Sequence, residues 1–247
     1  SCLLLLEKEK GYNLSKTTVG LVGVGHVGHA VIEAIRPLGV QILLNDPPQK
    51  EALRKAGKPH EFFLKMEELQ EKCDIISFHT PLITKGPYPT FHLANKTFFN
   101  ALKKQPIIIN TSRGAVVDNT DVLQALKDGI IRDAIIDTWE NEPNINQELL
   151  NLIYIGTPHI AGYSADGKAN ATRMALTALC NHFHLPVTFQ IRVPQLPEEE
   201  LPEPNLTETE RALVLYNPHT DSLKLKSHPT MFEELRGNYP LRREFIE

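Results

Sequence analysis

Gly23-Val24-Gly25-His26-Val27-Gly28 lies between an apolar run and a segment with helical spacing. Glycines spaced in this way after a strand and before a helix are typical of a turn that holds a dinucleotide. Gly23 permits the tight turn, Gly25 lets the backbone approach the pyrophosphate, and Gly28 allows close packing of helix on strand. The first helical residues, His26 and Val27, are expected to present free N–H groups to the phosphates.

Outward from this turn, short apolar runs alternate with helical stretches. Six runs are predicted to be strands: residues 18–22, 40–44, 74–78, 106–110, 133–137 and 152–155. Helices are predicted between them at residues 27–38, 66–72, 95–103 and 119–128. The runs are continuously apolar, which suits strands that are covered on both faces, as in a parallel sheet. The pattern therefore predicts an α/β fold with a doubly wound parallel sheet of the Rossmann type.

An acidic residue follows the second predicted strand at the spacing expected of a ribose-binding carboxylate. Asp46 lies 18 residues after Gly28 (46 − 28 = 18), near the separation of about 20 residues found in dinucleotide-binding domains. Its carboxylate can accept hydrogen bonds from both ribose hydroxyls of NAD, and it repels a 2′-phosphate. No arginine follows in the next several positions, so we expect NAD and not NADP. The alternative is that Asp46 caps a helix and the glycines form an ordinary turn.

Side chains that can act on a hydroxy acid follow the fourth, fifth and sixth predicted strands. An open parallel sheet gathers the carboxyl ends of its strands at one crevice, where ligands bind. Arg113 can hold a carboxylate by paired, planar hydrogen bonds. His159 can accept the hydroxyl proton, because imidazole has an ordinary pKa of about 6.5. Either Glu142 or Glu140 can orient His159 and stabilise its protonated form, and spacing alone does not separate these two.

Two more residues at strand ends are candidate cofactor contacts. Asp137 ends the fifth predicted strand and can accept a hydrogen bond from the carboxamide of a nicotinamide ring; the alternative is a helix or loop cap. Thr80 follows the third predicted strand, next to His79, and we expect it to touch the cofactor. Most of the ten histidines are expected to be ordinary surface or core residues.

Composition excludes several classes of function. The 247 residues have a formal net charge of −4 and a pI near 6.2, so we expect no nucleic-acid partner. No apolar run approaches the roughly 20 residues that a membrane span needs. Cys2, Cys73 and Cys180 lack the spacing of a metal or redox site. We therefore expect no metal, reduced structural thiols and a cytoplasmic location.

Several stretches together resemble the D-isomer-specific 2-hydroxyacid dehydrogenases. They are the glycine turn, HTPL at 79–82, NTSRG at 110–114, DTWENEP at 137–143 and PHIAG at 158–162. The resemblance implies NAD-dependent oxidation of a 2-hydroxy acid, with Arg113, Glu142 and His159 as the catalytic residues. By the family pattern, Glu140 then has no catalytic role. The resemblance also implies that Gly162 contacts the cofactor and that Tyr163, like Arg113, binds the substrate.

Three further stretches resemble one branch of that family, which oxidises a phosphorylated 2-hydroxy acid in vitamin B6 biosynthesis. They are the insertion 85–93, the segment 160–169 and the tail 239–245. The resemblance implies a small phosphorylated 2-hydroxy acid as substrate, NAD as cofactor, and a homodimer that forms through the C-terminal residues. Two alternatives stay open. One is a related dehydrogenase of the phosphoglycerate or glyoxylate type, and the other is a non-catalytic, NAD-sensing binding protein similar to corepressors built on this scaffold.

The resemblance and the shifts in composition divide the chain into five expected segments. Residues 1–16 are expected to end a linking helix from a substrate domain, and the chain, which lacks an initial methionine, is interpreted as a fragment. Residues 17–165 are expected to form the NAD-binding Rossmann domain. Residues 166–185 are expected to form a helix that returns to the substrate domain, and residues 186–205 a proline-rich linker. Residues 206–247 are expected to be a small C-terminal α+β dimerisation module, with a hairpin of 211–216 and 223–225 and a helix at 231–236.

Overall fold

A six-stranded parallel sheet forms the centre of the computed structural model, which describes residues 1–244. The strands are β1 (Thr18–Val22), β2 (Gln41–Asn45), β3 (Ile75–Phe78), β4 (Ile107–Asn110), β5 (Asp133–Ile136) and β6 (Ile155–Gly156). The α-helices are α1 (Cys2–Lys10), α2 (His26–Ile35), α3 (Pro47–Lys55), α4 (Met66–Lys72), α5 (Lys96–Asn100), α6 (Asn119–Lys127), α7 (Gln147–Leu152), α8 (Ala165–His182), α9 (Glu208–Leu215), α10 (Pro218–Ser227) and α11 (Phe232–Gly237). The predicted α/β fold with a doubly wound parallel sheet is confirmed.

The strands lie in the order β2-β1-β3-β4-β5-β6, and every neighbouring pair is parallel. The chain runs from β1 outward to β2 and then returns past β1 to place β3 on its other side. The order therefore reverses between β1 and β3. In open α/β sheets, ligands bind at the carboxyl ends of the strands beside such a switch point. The glycine turn after β1 and Thr80 after β3 both lie there.

Apolar side chains cover the sheet on both faces. Strands β1, β3 and β4 are buried along their whole length, which accounts for their continuously apolar sequences. On one face the core includes Phe78, Phe98 and Phe99, whose rings meet in T-shaped pairs. Helices α1 and α2 cover the other face.

Helix α1 belongs to this core. Its four consecutive leucines, residues 3–6, are buried and pack with strand residues that include Val19 and Ile75. The helix ends at Gly11, whose φ of 71° gives the left-handed conformation common after a helix. Residues 1–10 therefore contribute directly to the stability of the sheet domain.

Two elements differ from the sequence-based prediction near the sheet. The last strand is Ile155–Gly156 and not 152–155, because residues up to Leu152 form α7. The prediction also omits α3. Pro47 and Pro48 occupy the first turn of α3, where a helix loses no hydrogen bond to a missing N–H. Asp46 caps this helix by accepting a hydrogen bond from Gln49 N at 2.9 Å.

The predicted C-terminal hairpin is wrong. Residues 211–216 and 223–225 lie largely in the helices α9 and α10, and no strand follows β6 within residues 1–244. Thr207 caps α9 through a capping box with Glu210. Asn217 caps α10, which has Pro218 in its first turn. These local caps outweigh the β-propensity of the apolar residues, which depends strongly on context.

The other C-terminal elements agree with the prediction. The long helix expected at 166–185 is α8, and the helix expected at 231–236 is α11. Between α8 and α9 the backbone is irregular, apart from a 3₁₀ turn at Glu198–Glu200. The end of the predicted tail, Phe245, lies outside the described residues. Within residues 1–244, no helix combines the length and the hydrophobicity that a membrane span requires.

The last helices pack against the sheet and share its core. Leu225 of α10 and Phe232 of α11 are fully buried in the same apolar cluster as Phe78. The Ser222 hydroxyl accepts a hydrogen bond from Gly156 N of β6 at 3.0 Å. The C-terminal helices are therefore part of the folded body that carries the carboxyl ends of the strands.

Replacing Leu5 by Ala tests the contribution of α1. Leu5 is 1% exposed, and we expect Leu5→Ala to lower the free energy of unfolding by about 2–5 kcal/mol, the usual cost of truncating a buried leucine. Leu223 is 58% exposed on α10, and Leu223→Ala should change that free energy by less than about 0.5 kcal/mol. Urea denaturation measures both. Equally small effects would contradict a core role for α1.

Candidate active site

The residues singled out from the sequence lie in loops at the carboxyl edge of the sheet. The glycine turn follows β1, Asp46 follows β2 and Thr80 follows β3, and we call these loops the cofactor half. Arg113 follows β4, while Glu142 and His159 lie after β5 and β6, and we call these loops the catalytic half. Because all six strands are parallel, the two halves lie side by side along one edge.

The glycine turn leaves room for the close approach of a ligand. Gly23 has a φ of 90°, and a Cβ at this position would lie 2.8 Å from His79 O. A Cβ on Gly28 would lie 2.4 Å from Gly23 O, so α2 packs here only with glycine. A Cβ on Gly25 would meet no atom within 4 Å, so there is open space above the turn. This geometry suits the predicted roles of the glycines, and their contact with the cofactor stays a prediction.

Helix α2 begins at His26, directly after the open space at Gly25. Gly25 is its N-cap, and no side chain in the described part of the chain caps it. The backbone N–H groups of the first turn, which includes His26 and Val27, are therefore available to an anionic group. Phosphate binding by these two residues stays a prediction with this support.

Asp46 links β2 to the glycine turn. One of its carboxylate oxygens accepts hydrogen bonds from Val24 N at 2.8 Å and from Gln49 Nε2 at 2.9 Å, and the other accepts from Gln49 N at 2.9 Å. The helix cap considered as an alternative is therefore present. Each carboxylate oxygen can accept more than one hydrogen bond, so the cap does not preclude ribose binding, which stays a prediction.

A cavity of about 850 Å³ lies beside the turn, and its wall includes Gly25, Asp46 and Thr80. This volume is in the range of small-molecule sites. Two buried polar atoms on the wall, His79 Nδ1 and Thr80 Oγ1, have no hydrogen-bond partner among residues 1–244. Buried polar atoms are nearly always paired. We therefore expect a ligand with polar groups to complete this site, and a dinucleotide fits both the open glycine turn and these atoms.

The structure indicates a ligand contact for His79, which the sequence does not predict. Burial lowers the pKa of His79 to about 4, so the ring is neutral at pH 7. Its Nε2 lies 2.9 Å from Ser77 Oγ, and Nδ1 is the nitrogen without a partner in the described chain. The sequence singles out Thr80 and not His79, although both lie in the HTPL stretch at 79–82, because burial of one ring nitrogen without a partner is not visible in a sequence.

Glu142, and not Glu140, contacts His159. Glu142 Oε2 lies 2.9 Å from His159 Nδ1, and Oε1 accepts a hydrogen bond from Trp139 N at 2.7 Å. We call Glu142 and His159 the catalytic pair. A carboxylate on Nδ1 favours the tautomer in which Nε2 is the proton acceptor. Burial raises the pKa of Glu142, but hydrogen bonds from His159 and Trp139 and the charges of His159 and Arg236 outweigh burial and bring that pKa below its ordinary value.

Glu140 has a different set of partners. Its Oε1 lies 2.7 Å from His92 Nε2, and its Oε2 accepts a hydrogen bond from Asn119 N at 2.8 Å. His92 Nδ1 in turn lies 3.1 Å from Asp118 Oδ2. Glu140 therefore joins the insertion 85–93 to the amino end of α6. The sequence offers no signal for this role, because His92 and Asn119 lie 48 and 21 residues away along the chain.

The carboxylate of Asp137 holds the loop that carries His159. Asp137 is 3% exposed and accepts hydrogen bonds from Thr157 Oγ1 at 2.6 Å, Ile160 N at 2.8 Å and Ala161 N at 3.0 Å. Burial raises the pKa of Asp137, and these hydrogen bonds oppose that shift. The loop cap considered as an alternative is therefore present, and a contact with the nicotinamide carboxamide stays a prediction.

Arg113 lies in a turn that packs against the loop after β5. The Asn110 side chain accepts a hydrogen bond from Ser112 N and donates one to Arg113 O, which fixes the turn. A Cβ on Gly114 would lie 1.8 Å from Trp139 O, so only glycine lets the two loops touch. Arg113 is exposed and donates one N–H to Ser112 O at 2.6 Å. The structure thus provides a cation on the loop next to the catalytic pair.

Gly162 and Tyr163 follow the His159 loop. Gly162 is exposed, and a Cβ there would meet no atom within 4 Å. The Tyr163 ring has two cations near it, with Lys168 Nζ 4.3 Å and Arg236 Cζ 5.8 Å from its centroid. Positive charge around this ring suits an anionic substrate. The cofactor contact of Gly162 and the substrate contact of Tyr163 stay predictions.

The three cysteines are not among the residues described above for the cofactor half or the catalytic half. Cys2, Cys73 and Cys180 are free thiols, and burial raises the pKa of Cys73 to about 12, so that thiol is inert at neutral pH. Among the residues that the structure describes, no group of three or more His, Cys, Asp or Glu side chains could hold a metal ion.

The lowered pKa of Glu142 predicts a pH-dependent contribution to stability. Since the folded-state pKa lies below that of an unfolded glutamate, about 4.3, ionised Glu142 stabilises the fold above that pH, and the contribution is lost as the pH falls through the folded-state value. We expect Glu142→Gln to lower the free energy of unfolding by about 1–3 kcal/mol at pH 7, and by less at pH 4.

Urea denaturation at the two pH values measures this difference. Glu233→Gln is the control, because the Glu233 side chain is 59% exposed and its replacement should have little effect at either pH. An equal loss of stability for Glu142→Gln at pH 7 and pH 4 would contradict the assigned hydrogen bonds.

Comparison with known proteins agrees with the geometry of this edge. The family model of the D-isomer specific 2-hydroxyacid dehydrogenase NAD-binding domain matches residues 6–161, more than half of the chain. An erythronate-4-phosphate dehydrogenase from Bacteroides fragilis is 50% identical over 244 residues, which cover 99% of this chain and 68% of that protein. The enzyme of the same name from Escherichia coli O157:H7 is 38% identical over 254 residues, which cover 99% of this chain and 66% of that one.

Solved structures show the same fold. A D-lactate dehydrogenase from Aquifex aeolicus, complexed with NAD and lactic acid, matches with a TM-score of 0.56 at 26% identity, over 70% of this chain and 55% of that chain. A D-isomer specific 2-hydroxyacid dehydrogenase from Lactobacillus delbrueckii ssp. bulgaricus, in an NAD-complexed form, matches with a TM-score of 0.58 at 25% identity, over 74% and 62% of the two chains. The chain thus spans about two thirds of the curated relatives and less of these solved structures.

These matches confirm the predicted family and the predicted cofactor, NAD. By its sequence, its sheet order and the loops at the carboxyl edge of that sheet, this chain belongs to the D-isomer-specific 2-hydroxyacid dehydrogenases, a family of NAD-dependent enzymes.

Proposed function

We propose that the full-length protein oxidises the C2 hydroxyl of 4-phospho-D-erythronate to (R)-3-hydroxy-2-oxo-4-phosphooxybutanoate, with NAD, in the biosynthesis of pyridoxal 5′-phosphate (vitamin B6). Support comes from the relatives named erythronate-4-phosphate dehydrogenase, which align with 99% of the chain. These alignments continue past residue 161, where the match to the NAD-binding domain of the family ends. The insertion 85–93 and the tail 239–245 are the stretches that favour this substrate over those of the phosphoglycerate and glyoxylate types.

The catalytic pair is the observation that carries this proposal. Glu142 holds His159 by Nδ1 at 2.9 Å, so Nε2 is the atom that accepts the proton of the C2 hydroxyl. The carboxylate then stabilises the imidazolium that forms. Arg113, on the neighbouring strand end, binds the substrate carboxylate through its planar guanidinium, and Tyr163 contributes to the same substrate site.

The cofactor half is proposed to bind NAD. The backbone N–H groups at Gly25, His26 and Val27 bind the pyrophosphate, with Gly23 and Gly28 shaping the turn. Asp46 accepts hydrogen bonds from the ribose hydroxyls. The contacts nearer to the catalytic pair come from Thr80, Asp137 and Gly162. When bound, NAD supplies the acceptor for the hydride that leaves C2.

We also propose that the protein is a cytoplasmic homodimer with a substrate domain preceding residues 1–16. Free thiols support a reducing compartment. Met174 and Leu179 of α8 are 67% and 51% exposed. Exposed apolar side chains of this kind indicate that the substrate domain or a second subunit covers the helix. Sedimentation of the full-length protein at the mass of one chain would reject the dimer.

An assay of the full-length protein with NAD tests the substrate. We expect oxidation of 4-phosphoerythronate, followed by the absorbance of reduced nicotinamide, and little oxidation of 3-phosphoglycerate. Oxidation of 3-phosphoglycerate alone would favour the phosphoglycerate type. Tight NAD binding without oxidation of any 2-hydroxy acid would favour an NAD-sensing binding protein.

Variants of the catalytic half serve as controls in the same assay. His159→Ala should lower the rate of oxidation by about 10²–10⁴-fold, the contribution of one general base, with NAD affinity changed only a few-fold. Glu140→Gln is the matched variant, because Glu140 lies on the same loop as Glu142 but contacts His92, and it should keep most of the rate. Comparable turnover by His159→Ala would refute the role of His159.

A further inference from the structure

The peptide group that joins Ile160 to Ala161 lies between two opposite charges. Ala161 N donates a hydrogen bond to Asp137 Oδ2 at 3.0 Å, and Ile160 O accepts one from Arg242 Nη2 at 3.0 Å. The flanking groups repeat the arrangement, since Ile160 N donates to Asp137 at 2.8 Å and Ala161 O accepts from Arg242 at 2.8 Å. The two residues after His159 are therefore held at their N–H groups by an anion and at their carbonyl groups by a cation.

This arrangement fixes the backbone strongly. Asp137 and Arg242 are 3% and 7% exposed, so water screens their charges little. Hydrogen bonds with a charged partner are roughly twice as strong as neutral ones, and the peptide dipole has its N–H toward the anion and its C=O toward the cation. His159 itself has a φ of 56°, which non-glycine residues adopt only when their surroundings hold them there.

Arg242 is itself held in place by the C-terminal part of the chain. Its guanidinium carbon lies 4.0 Å from the centroid of the Tyr216 ring and 5.4 Å from that of Tyr239. Its carbonyl oxygen accepts a hydrogen bond from Ala165 N at 2.8 Å. The arginine thus reaches the His159 loop from a region beyond residue 161, outside the part of the chain that matches the NAD-binding domain of the family.

We propose that Arg242 is a positioning residue for catalysis: by binding the carbonyl oxygens of Ile160 and Ala161, it holds His159 where the imidazole meets both Glu142 and the substrate hydroxyl. The proposal rests on the proposed function for its activity readout. It gives the C-terminal residues a part in the reaction in addition to any part in association. If Arg242 only stabilised the packing of the last helices, its replacement would lower the stability of the fold without a local change in the backbone at residues 160 and 161.

Two variants of Arg242 separate charge from geometry. Arg242→Met keeps an unbranched side chain and removes the donors, whereas Arg242→Lys keeps the charge but replaces the planar guanidinium by a single ammonium. In the full-length protein, kcat of Arg242→Met should fall by about 100-fold, the scale of misplacing a catalytic group by about 1 Å. The dissociation constant of NAD and the KM of the substrate should change only a few-fold, and Arg242→Lys should lose less of kcat.

Hydrogen exchange provides a second readout that needs no turnover. The amides of Ile160 and Ala161 donate to Asp137, and they exchange with solvent when the loop opens locally. Both should exchange at least about 10-fold faster in Arg242→Met than in the wild type, while the amides of β3 and β4 stay protected. If the wild type does not oxidise 4-phosphoerythronate, the proposed function fails, and this readout still tests Arg242.

Arg211→Met is the matched control. Arg211 Nη2 donates to Pro204 O at 2.8 Å, the same kind of bond in the C-terminal part of the chain but outside the His159 loop. Arg211→Met should leave kcat and the hydrogen exchange of the Ile160 amide unchanged. Wild-type kcat and wild-type exchange in folded Arg242→Met would overturn the proposal. If that variant does not fold, wild-type kcat and wild-type exchange in Arg242→Gln, which removes the charge and shortens the side chain, overturn the proposal. An Arg211→Met variant that reproduces the losses overturns it as well.

Discussion

The buried carboxylate of Asp137 is the interaction on which the geometry of the catalytic half depends. A carboxylate removed from water is costly unless hydrogen bonds replace its hydration. Here Thr157 Oγ1, Ile160 N and Ala161 N supply them. Because these donors flank His159 on both sides, the loop satisfies the carboxylate while His159 is directed at Glu142. Other conformations of the loop would leave the buried Asp137 carboxylate without hydrogen bonds, so the loop is restricted to this one.

The order of the strands supplies the remaining constraint. The order reverses between β1 and β3, which leaves a crevice at their carboxyl ends where ligands bind in open α/β sheets. The adjacent strands β4, β5 and β6 bring the residues of the catalytic half alongside. The loops after β4 and β5 are in close contact, because the backbone at Gly114 lies so near Trp139 O that no side chain would fit between them. The resemblance to a D-lactate dehydrogenase at 26% identity lies in this shared domain. Helix α10 packs on the last strand of this sheet, where the Ser222 hydroxyl accepts a hydrogen bond from Gly156 N of β6.

Much of this site could be predicted from the sequence, because its signals are local. Continuous apolar runs indicate buried parallel strands, and the glycine turn indicates the cofactor half. The choice between Glu142 and Glu140 could not be made from spacing, since both follow β5 and only the path of the loop in space separates them. The sequence predicts a hairpin where α9 and α10 lie, because its apolar residues have high β-propensity, which the caps at Thr207 and Asn217 outweigh. The contact of Arg242 with the His159 loop joins distant parts of the chain, and no local pattern reports it.

A crystal structure of the full-length protein with NAD and 4-phosphoerythronate would show whether the catalytic pair and Arg113 meet at one substrate. We predict that His159 Nε2 lies within hydrogen-bond distance of the C2 hydroxyl, with Glu142 on Nδ1 and the Arg113 guanidinium on the substrate carboxylate. A substrate bound at the carboxyl edge with its C2 hydroxyl away from His159, or with Arg113 directed elsewhere, would contradict a shared catalytic site.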